Sequence, residues 1–179
     1  YYCYLNTEMK NFLSLIVIVF LSIGMRSAIA DNISMYSSNL YIVGITPTSY
    51  NSPGSEGATN AFDGNPYTKY LNFDKTNAGV TVELNQGRVV NSFTVTTAND
   101  FAGRDPTSYK LYGSNSGSSW VLIQEGNLSL SDSRYTTSSS ISVNNTAPYV
   151  YYFMVFPTTK AGTGCGQNCN SMQIGELTY

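Results

Sequence analysis

The feature that most limits what this chain can become is a repeated strand-and-turn pattern. Short runs rich in Val, Ile, Thr, Tyr and Phe are broken every few residues by Gly, Asn, Ser or Asp, and no long helical period appears from residue 31 onward. This predicts an all-β fold, an antiparallel sandwich or barrel. Strands are expected over 41–45, 70–73, 79–84, 89–97, 108–114, 120–125, 141–143, 149–156 and 173–178. Val80, Val82 and Leu84 alternate with Thr81 and Glu83, and Phe93 and Val95 alternate with Thr94 and Thr96, so each run has one apolar face. Residues 149–156 are apolar almost throughout, as in a central strand covered on both sides. Turns are expected at Asp63-Gly64, Asn85-Gln86-Gly87, Asn115-Ser116-Gly117 and Glu125-Gly126-Asn127. The Ser/Thr-rich stretch 129–140 reads as a solvated loop or edge strand, and a short helical turn is expected over 58–62. Leu111, Trp120 and Leu122 span a hairpin; a core role is expected for Trp120, the single tryptophan, with sugar stacking as its alternative.

Composition excludes several functions. The chain has no histidine, which removes Ser-His-Asp and Cys-His catalysis and imidazole zinc sites. Nine Lys/Arg against eleven Asp/Glu, with no basic block, argues against nucleic-acid binding. Charged residues are only 11%, but 42% of the chain is hydrophobic and 13% aromatic, enough for an independent core.

The first thirty residues read as an export signal. Met9-Lys10, an apolar run over 12–23 and Ala28-Ile29-Ala30 have the parts of a secretory signal peptide over 9–30. The apolar run is too short to span a membrane. Residues 1–8 read as a doubtful leader, leaving a single secreted domain over 31–179. Cys165 and Cys169 bracket a short Gly-containing loop and are expected to form a disulfide in an oxidising compartment. Sequons at Asn32, Asn127 and Asn144 agree with export.

The sharpest constellation runs from Asn60 to Tyr70, Asn-Ala-Phe-Asp-Gly-Asn-Pro-Tyr-Thr-Lys-Tyr. Asp63, the Asn65 amide oxygen and Thr68 can converge on one hard cation around the Gly64 turn. The same residues also suit an Asx turn without an ion, and the local sequence leaves both readings open.

Together with two later stretches, this segment resembles the discoidin, or coagulation-factor C-terminal (F5/8 type C), superfamily of galactose-binding-like domains, above all its bacterial-type carbohydrate-binding modules. The second stretch is Ser108-Tyr-Lys-Leu-Tyr-Gly-Ser-Asn115 with Ser118-Ser-Trp120, and the third is Met172-Gln-Ile-Gly-Glu-Leu177. The resemblance implies an eight-stranded antiparallel β-sandwich, a jelly roll. It also implies a structural calcium, carried onto the side chains of Asp63, Asn65, Thr68 and Glu176 and the carbonyls of Asn60 and Gly175. Tyr70 stands where the family usually has tryptophan, and Leu71 where some galactose binders carry histidine. A glycan ligand is therefore implied without galactose being specified.

Sugar contacts in the family come from loops at one end of the sandwich, which places them here on Asn99, Asp100, Phe101, Arg104 and Asp105, with Asn72 from the adjoining strand end. The chemistry suits a sugar: Arg104 offers a rigid fork of donors, the Asn and Asp side chains can bond hydroxyls, and Phe101 offers an apolar face. An Arg104–Asp105 surface ion pair in an ordinary loop is the competing reading. Three functions follow: a secreted non-catalytic glycan-binding module, an adhesion domain of the same fold that binds protein or lipid, and a glycosidase using Asp100 and Asp105. Membrane contact belongs only to the second.

Overall fold

The structure, a computed structural model, describes residues 41–161 and 167–179. The leader, the signal peptide, Asn32 and Cys165 lie outside the described residues. Ten strands form: β1 (Ile42–Pro47), β2 (Tyr70–Asn72), β3 (Ala78–Arg88), β4 (Ser92–Thr96), β5 (Ser108–Ser114), β6 (Val121–Asn127), β7 (Ile141–Ser142), β8 (Tyr149–Phe156), β9 (Met172–Ile174) and β10 (Glu176–Thr178). A five-stranded sheet runs β1-β3-β8-β5-β6, a three-stranded sheet β10-β4-β7, and β2 pairs with β9. Every pairing is antiparallel.

The alternation read from sequence fixes which face is buried. Val80, Val82 and Leu84 of β3, Leu111 of β5 and Tyr152, Met154 and Phe156 of β8 meet Phe93 and Val95 of β4 and Leu177 of β10 in one core. Fully burying a side chain of this size stabilises the fold by roughly 1.5–3 kcal/mol. The jelly-roll sandwich is therefore present, with ten strands rather than eight. The last expected strand, 173–178, is broken at Gly175, where a Cβ would lie 3.2 Å from the Thr97 carbonyl oxygen and 3.6 Å from that of Pro66. That close approach lets the 63–68 turn pack against the end of β4 and switches the chain from β9 to β10.

Two expectations need correction. Strand β8 is central, but Tyr151 and Phe153 on its outer face are only half-buried: Phe153 packs against the Tyr112 and Trp120 rings, and the Tyr151 hydroxyl donates to Glu83. Trp120 is outside the core. It is half-buried against Phe153, ring centroids 5.7 Å apart, and Phe153 alternates with the buried Tyr152 and Met154, so both rings lie on the sheet's outer face. Leu122 is likewise exposed.

Candidate functional site

Strand directions bring the expected site segments to one end of the sandwich. Strand β4 runs into the 97–105 loop, and Glu176 at the start of β10 pairs with Thr96 at the end of β4. The 63–68 turn reaches the same place through Gly175.

The turn is built from its own side chains. Gly64 has φ +73°, a left-handed conformation that glycine adopts without strain. The Asn65 N–H donates to Asp63 Oδ1 at 2.8 Å, and the Tyr67 N–H donates to Asn65 Oδ1 at 3.1 Å. Thr68 Oγ1 lies 2.8 Å from both Asp63 Oδ2 and the Asn65 carbonyl. The Asx turn is therefore present, and it gathers oxygens on one side. Burial pulls the Asp63 carboxyl upward, but the Thr68 hydroxyl and the Asn65 N–H outweigh it and hold the group below its ordinary value.

Glu176 behaves in the opposite way. Burial and the neighbouring Asp63 carboxylate push it up to about 7. Its Oε1 is buried and accepts no hydrogen bond. Two carboxylates facing each other, one with an orphaned oxygen, ask for a shared proton or a cation. Two carboxylates with neutral amide, hydroxyl and carbonyl oxygens are a donor set suited to a hard divalent cation. No cluster of three or more Asp, Glu, His or Cys residues forms among the described residues, so the neutral oxygens would have to complete it. The Asn60 side chain is spent on structure, its amide donating to the Ser55 and Lys69 carbonyls at 2.8 and 2.9 Å.

In the 97–105 loop the expected residues divide. Asn99 and Phe101 are exposed, Phe101 by 46%. The Arg104 guanidinium carbon lies 4.6 Å from the Phe101 ring centroid, its Nε–H donates to the Asn168 carbonyl at 2.7 Å, and Nη1 lies 3.6 Å from Asp100. Arg104 thus pairs with Asp100 rather than Asp105. Asp105 is fully buried. It accepts two hydrogen bonds from Arg134, at 2.9 and 2.6 Å, and one from Lys160 at 3.2 Å. Its expected role as a sugar contact is corrected: with no exposed atom, it anchors the loop to the 131–134 and 157–161 segments.

Asn72 is corrected for the same reason. It is fully buried, its amide donates to the Ser49 carbonyl and to the Tyr70 hydroxyl, each at 3.1 Å, and its oxygen accepts from the Asp74 N–H at 2.9 Å.

The sequence reading missed Lys69, Gln173 and Arg134. Lys69 is buried within 3.1 Å of Asp100, 3.3 Å of Gln173 Oε1 and 3.7 Å of Glu56. Gln173 donates to the Asp100 and Phe101 carbonyls and so fixes the loop's backbone from strand β9. A lysine directly before strand β2 and a glutamine inside the short strand β9 are the available signal, since buried polar groups need partners. Cys169 is buried and disulfide-bonded.

The F5/8 type C domain profile matches residues 44–169. Among solved structures, CpGH89CBM32-5 from Clostridium perfringens, in complex with GalNAc-β-1,3-galactose, is 25% identical with a TM-score of 0.58, over 78% of this chain and 94% of that one. The family 32 carbohydrate-binding module of C. perfringens NanJ, in complex with galactose, is 18% identical with a TM-score of 0.56, over 77% of this chain and 96% of that one. A pectin-binding carbohydrate-binding module is 17% identical with a TM-score of 0.59, over 78% and 91% of the two chains. Comparison with curated protein sequences finds no match. The strand order, the Asp63 turn closed by Glu176 and a profile match over more than half the chain agree: the protein belongs to the F5/8 type C domain family.

Proposed function

We propose that this chain is a secreted, non-catalytic carbohydrate-binding module whose ligand end is the 97–105 loop. The observation that carries the reading is the Phe101–Arg104 pair: an exposed ring with a guanidinium held over it by Asp100 and the Asn168 carbonyl. A pyranose has an apolar C–H side and a hydroxyl rim, and a ring beside a fixed donor fork matches both. Glycan complexes of similar modules support the assignment.

The carboxylates favour binding over hydrolysis. A glycosidase needs two carboxylates facing a cleft. Asp105 is buried under Arg134 and Lys160, and Asp100 is paired with Lys69 and Arg104, so neither is placed as a free acid or nucleophile.

A calcium ion belongs to the same proposal, held by Asp63, Asn65, Thr68 and Glu176 with backbone carbonyls. It would neutralise the two facing carboxylates and join the 63–68 turn to β10, a structural role. The decisive experiment is a glycan array run with calcium and with chelator, using wild type, Arg104→Ala and Phe101→Ala. Glycan signals lost in both variants while the proteins stay folded are expected. Signals unchanged in both would move the site elsewhere, and turnover of aryl-glycosides would overturn the non-catalytic reading.

A further inference from the structure

We infer that Tyr67 and Tyr135 form a second aromatic subsite that holds a further pyranose unit of the same glycan. This rests on the carbohydrate-binding reading of the 97–105 loop and deepens it: the ligand would be a chain of sugars rather than a single terminal residue.

Both rings are exposed, Tyr67 at 76% and Tyr135 at 43%. They come from segments far apart in sequence, yet their centroids lie 5.1 Å apart with planes tilted by 59°. The result is an open, two-walled aromatic corner. Nothing in the core needs it, and leaving two large rings in water has no folding benefit.

The backbone beneath each ring is fixed. Tyr67 follows Pro66, and its N–H donates to Asn65 Oδ1 within the 63–68 turn. Tyr135 has φ +57°, a left-handed conformation costly for an aromatic residue. It is clamped on both sides: its N–H donates to the Thr97 carbonyl at 3.1 Å, and the Thr136 N–H donates to Thr97 Oγ1 at 3.0 Å. Phe101, the exposed ring of the first subsite, also has positive φ, +27°. Two of the four non-glycine residues with positive φ among those described are thus exposed aromatics at the same end. Backbone strain kept in order to present a ring to solvent motivates a binding role.

The two subsites share one piece of chain. Tyr135 hangs from the Thr97 carbonyl, and its neighbour Arg134 donates to the Asp100 carbonyl at 3.1 Å, so both attach to the loop that carries Phe101 and Arg104. Exposed Asn99 lies between these attachment points in sequence and offers an amide to ring hydroxyls. Rigid aromatic faces with few rotatable bonds bind sugar rings at low entropic cost, the same economy that favours tyrosine in binding loops.

The test is an array of immobilised mono- and oligosaccharides probed with wild type, Tyr67→Ala, Tyr135→Ala, Tyr67→Phe and Arg104→Ala, each first checked by its melting curve. Arg104→Ala should lose signal on every glycan. Tyr67→Ala and Tyr135→Ala should keep the monosaccharide signals and weaken on longer glycans by about three- to tenfold, the loss expected for one aromatic contact. Tyr67→Phe should bind like wild type, because stacking needs the ring and not the hydroxyl. Tyrosine variants that match wild type on every glycan, while Arg104→Ala loses binding, would sink the subsite and leave the carbohydrate-binding function standing. No wild-type signal on any glycan would overturn both. Phosphatidylserine vesicles form a final arm: tyrosine-dependent vesicle binding without a glycan effect would assign the pair to membranes and overturn the inference.

Discussion

Asp105 and Asn72 carry polar side chains that the fold buries completely, each held by partners from other segments. The partners of Asp105, Arg134 and Lys160, lie 29 and 55 residues away, a pairing that no local spacing announces. Asn72 is explained by a departure that was visible. Tyr70 occupies a position where the family resemblance implies tryptophan, and its buried hydroxyl, pushed up to about 12 by burial, donates to the Gly79 carbonyl and accepts from the Asn72 amide. A tyrosine in a buried tryptophan position needs a polar partner, and the asparagine two residues on supplies it. The Phe101–Arg104 contact is legible in the sequence because it is local: a ring and a guanidinium three residues apart on one loop. The division of roles predicts opposite mutant behaviour. Asp105→Ala removes the buried carboxylate shared by Arg134 and Lys160, leaving Arg134 only backbone carbonyls and Lys160 the exposed Asp132, and should destabilise the fold by about 3 kcal/mol, read as a lowered denaturant midpoint. Arg104→Ala removes a mostly buried side chain but leaves Asp100 its Lys69 partner and no buried charge unpaired, so it should change stability less while removing glycan binding.

The turn over 63–68 is legible in the sequence as a Gly-centred Asx turn, whereas its meeting with strand β10 is settled only by packing. The oxygens of Asp63, Asn65 and Thr68 are apparent from spacing, whereas the burial of Glu176 Oε1 comes from the packing that follows the strand interruption at Gly175. That geometry gives a pH dependence whose sign can be worked out. In chelator, Glu176 titrates near 7 in the folded protein and near the ordinary 4.5 when unfolded, so the folded state holds the extra proton between those values. Stability from this proton is complete below about pH 4.5 and is lost as pH rises through about 7. Asp63 is lowered, so its contribution runs the other way, present at neutral pH and lost in acid below its ordinary 3.8. Melting temperatures in chelator should therefore fall between pH 5 and pH 8, and millimolar calcium should remove most of that fall by replacing the proton. At a hundredfold excess over its dissociation constant the ion adds about 2.7 kcal/mol. Glu176→Gln should flatten the pH profile in chelator and abolish the response to calcium. A wild-type profile identical with and without calcium would remove the ion from the proposal.

Across the whole molecule, strand direction separates the two regions that tempted a sugar-binding assignment from sequence alone. Strand β5 starts at Ser108, just after the 97–105 loop, and ends at Ser114, where the hairpin turns back toward Trp120. Six steps along an antiparallel strand cover about 20 Å, so the tryptophan lies at the far end of the sandwich from Phe101 and Arg104. The sequence could show that Trp120 begins a strand, but not that its ring would settle on the outer face against Phe153, because a hairpin's facing depends on register. That register shifts between Leu111 and Tyr112. The single tryptophan is consequently a clean reporter of the fold and a control for the site. Its half-buried indole should shift emission to the red when denaturant opens the hairpin, together with the loss of β-sheet circular dichroism, because one core joins both main sheets. Titration with any glycan that binds on the array should leave its emission unchanged, while binding still appears as heat by calorimetry. A saturable change in tryptophan emission that survives Arg104→Ala would instead put the ligand on the Trp120 hairpin, and the loop assignment would fail.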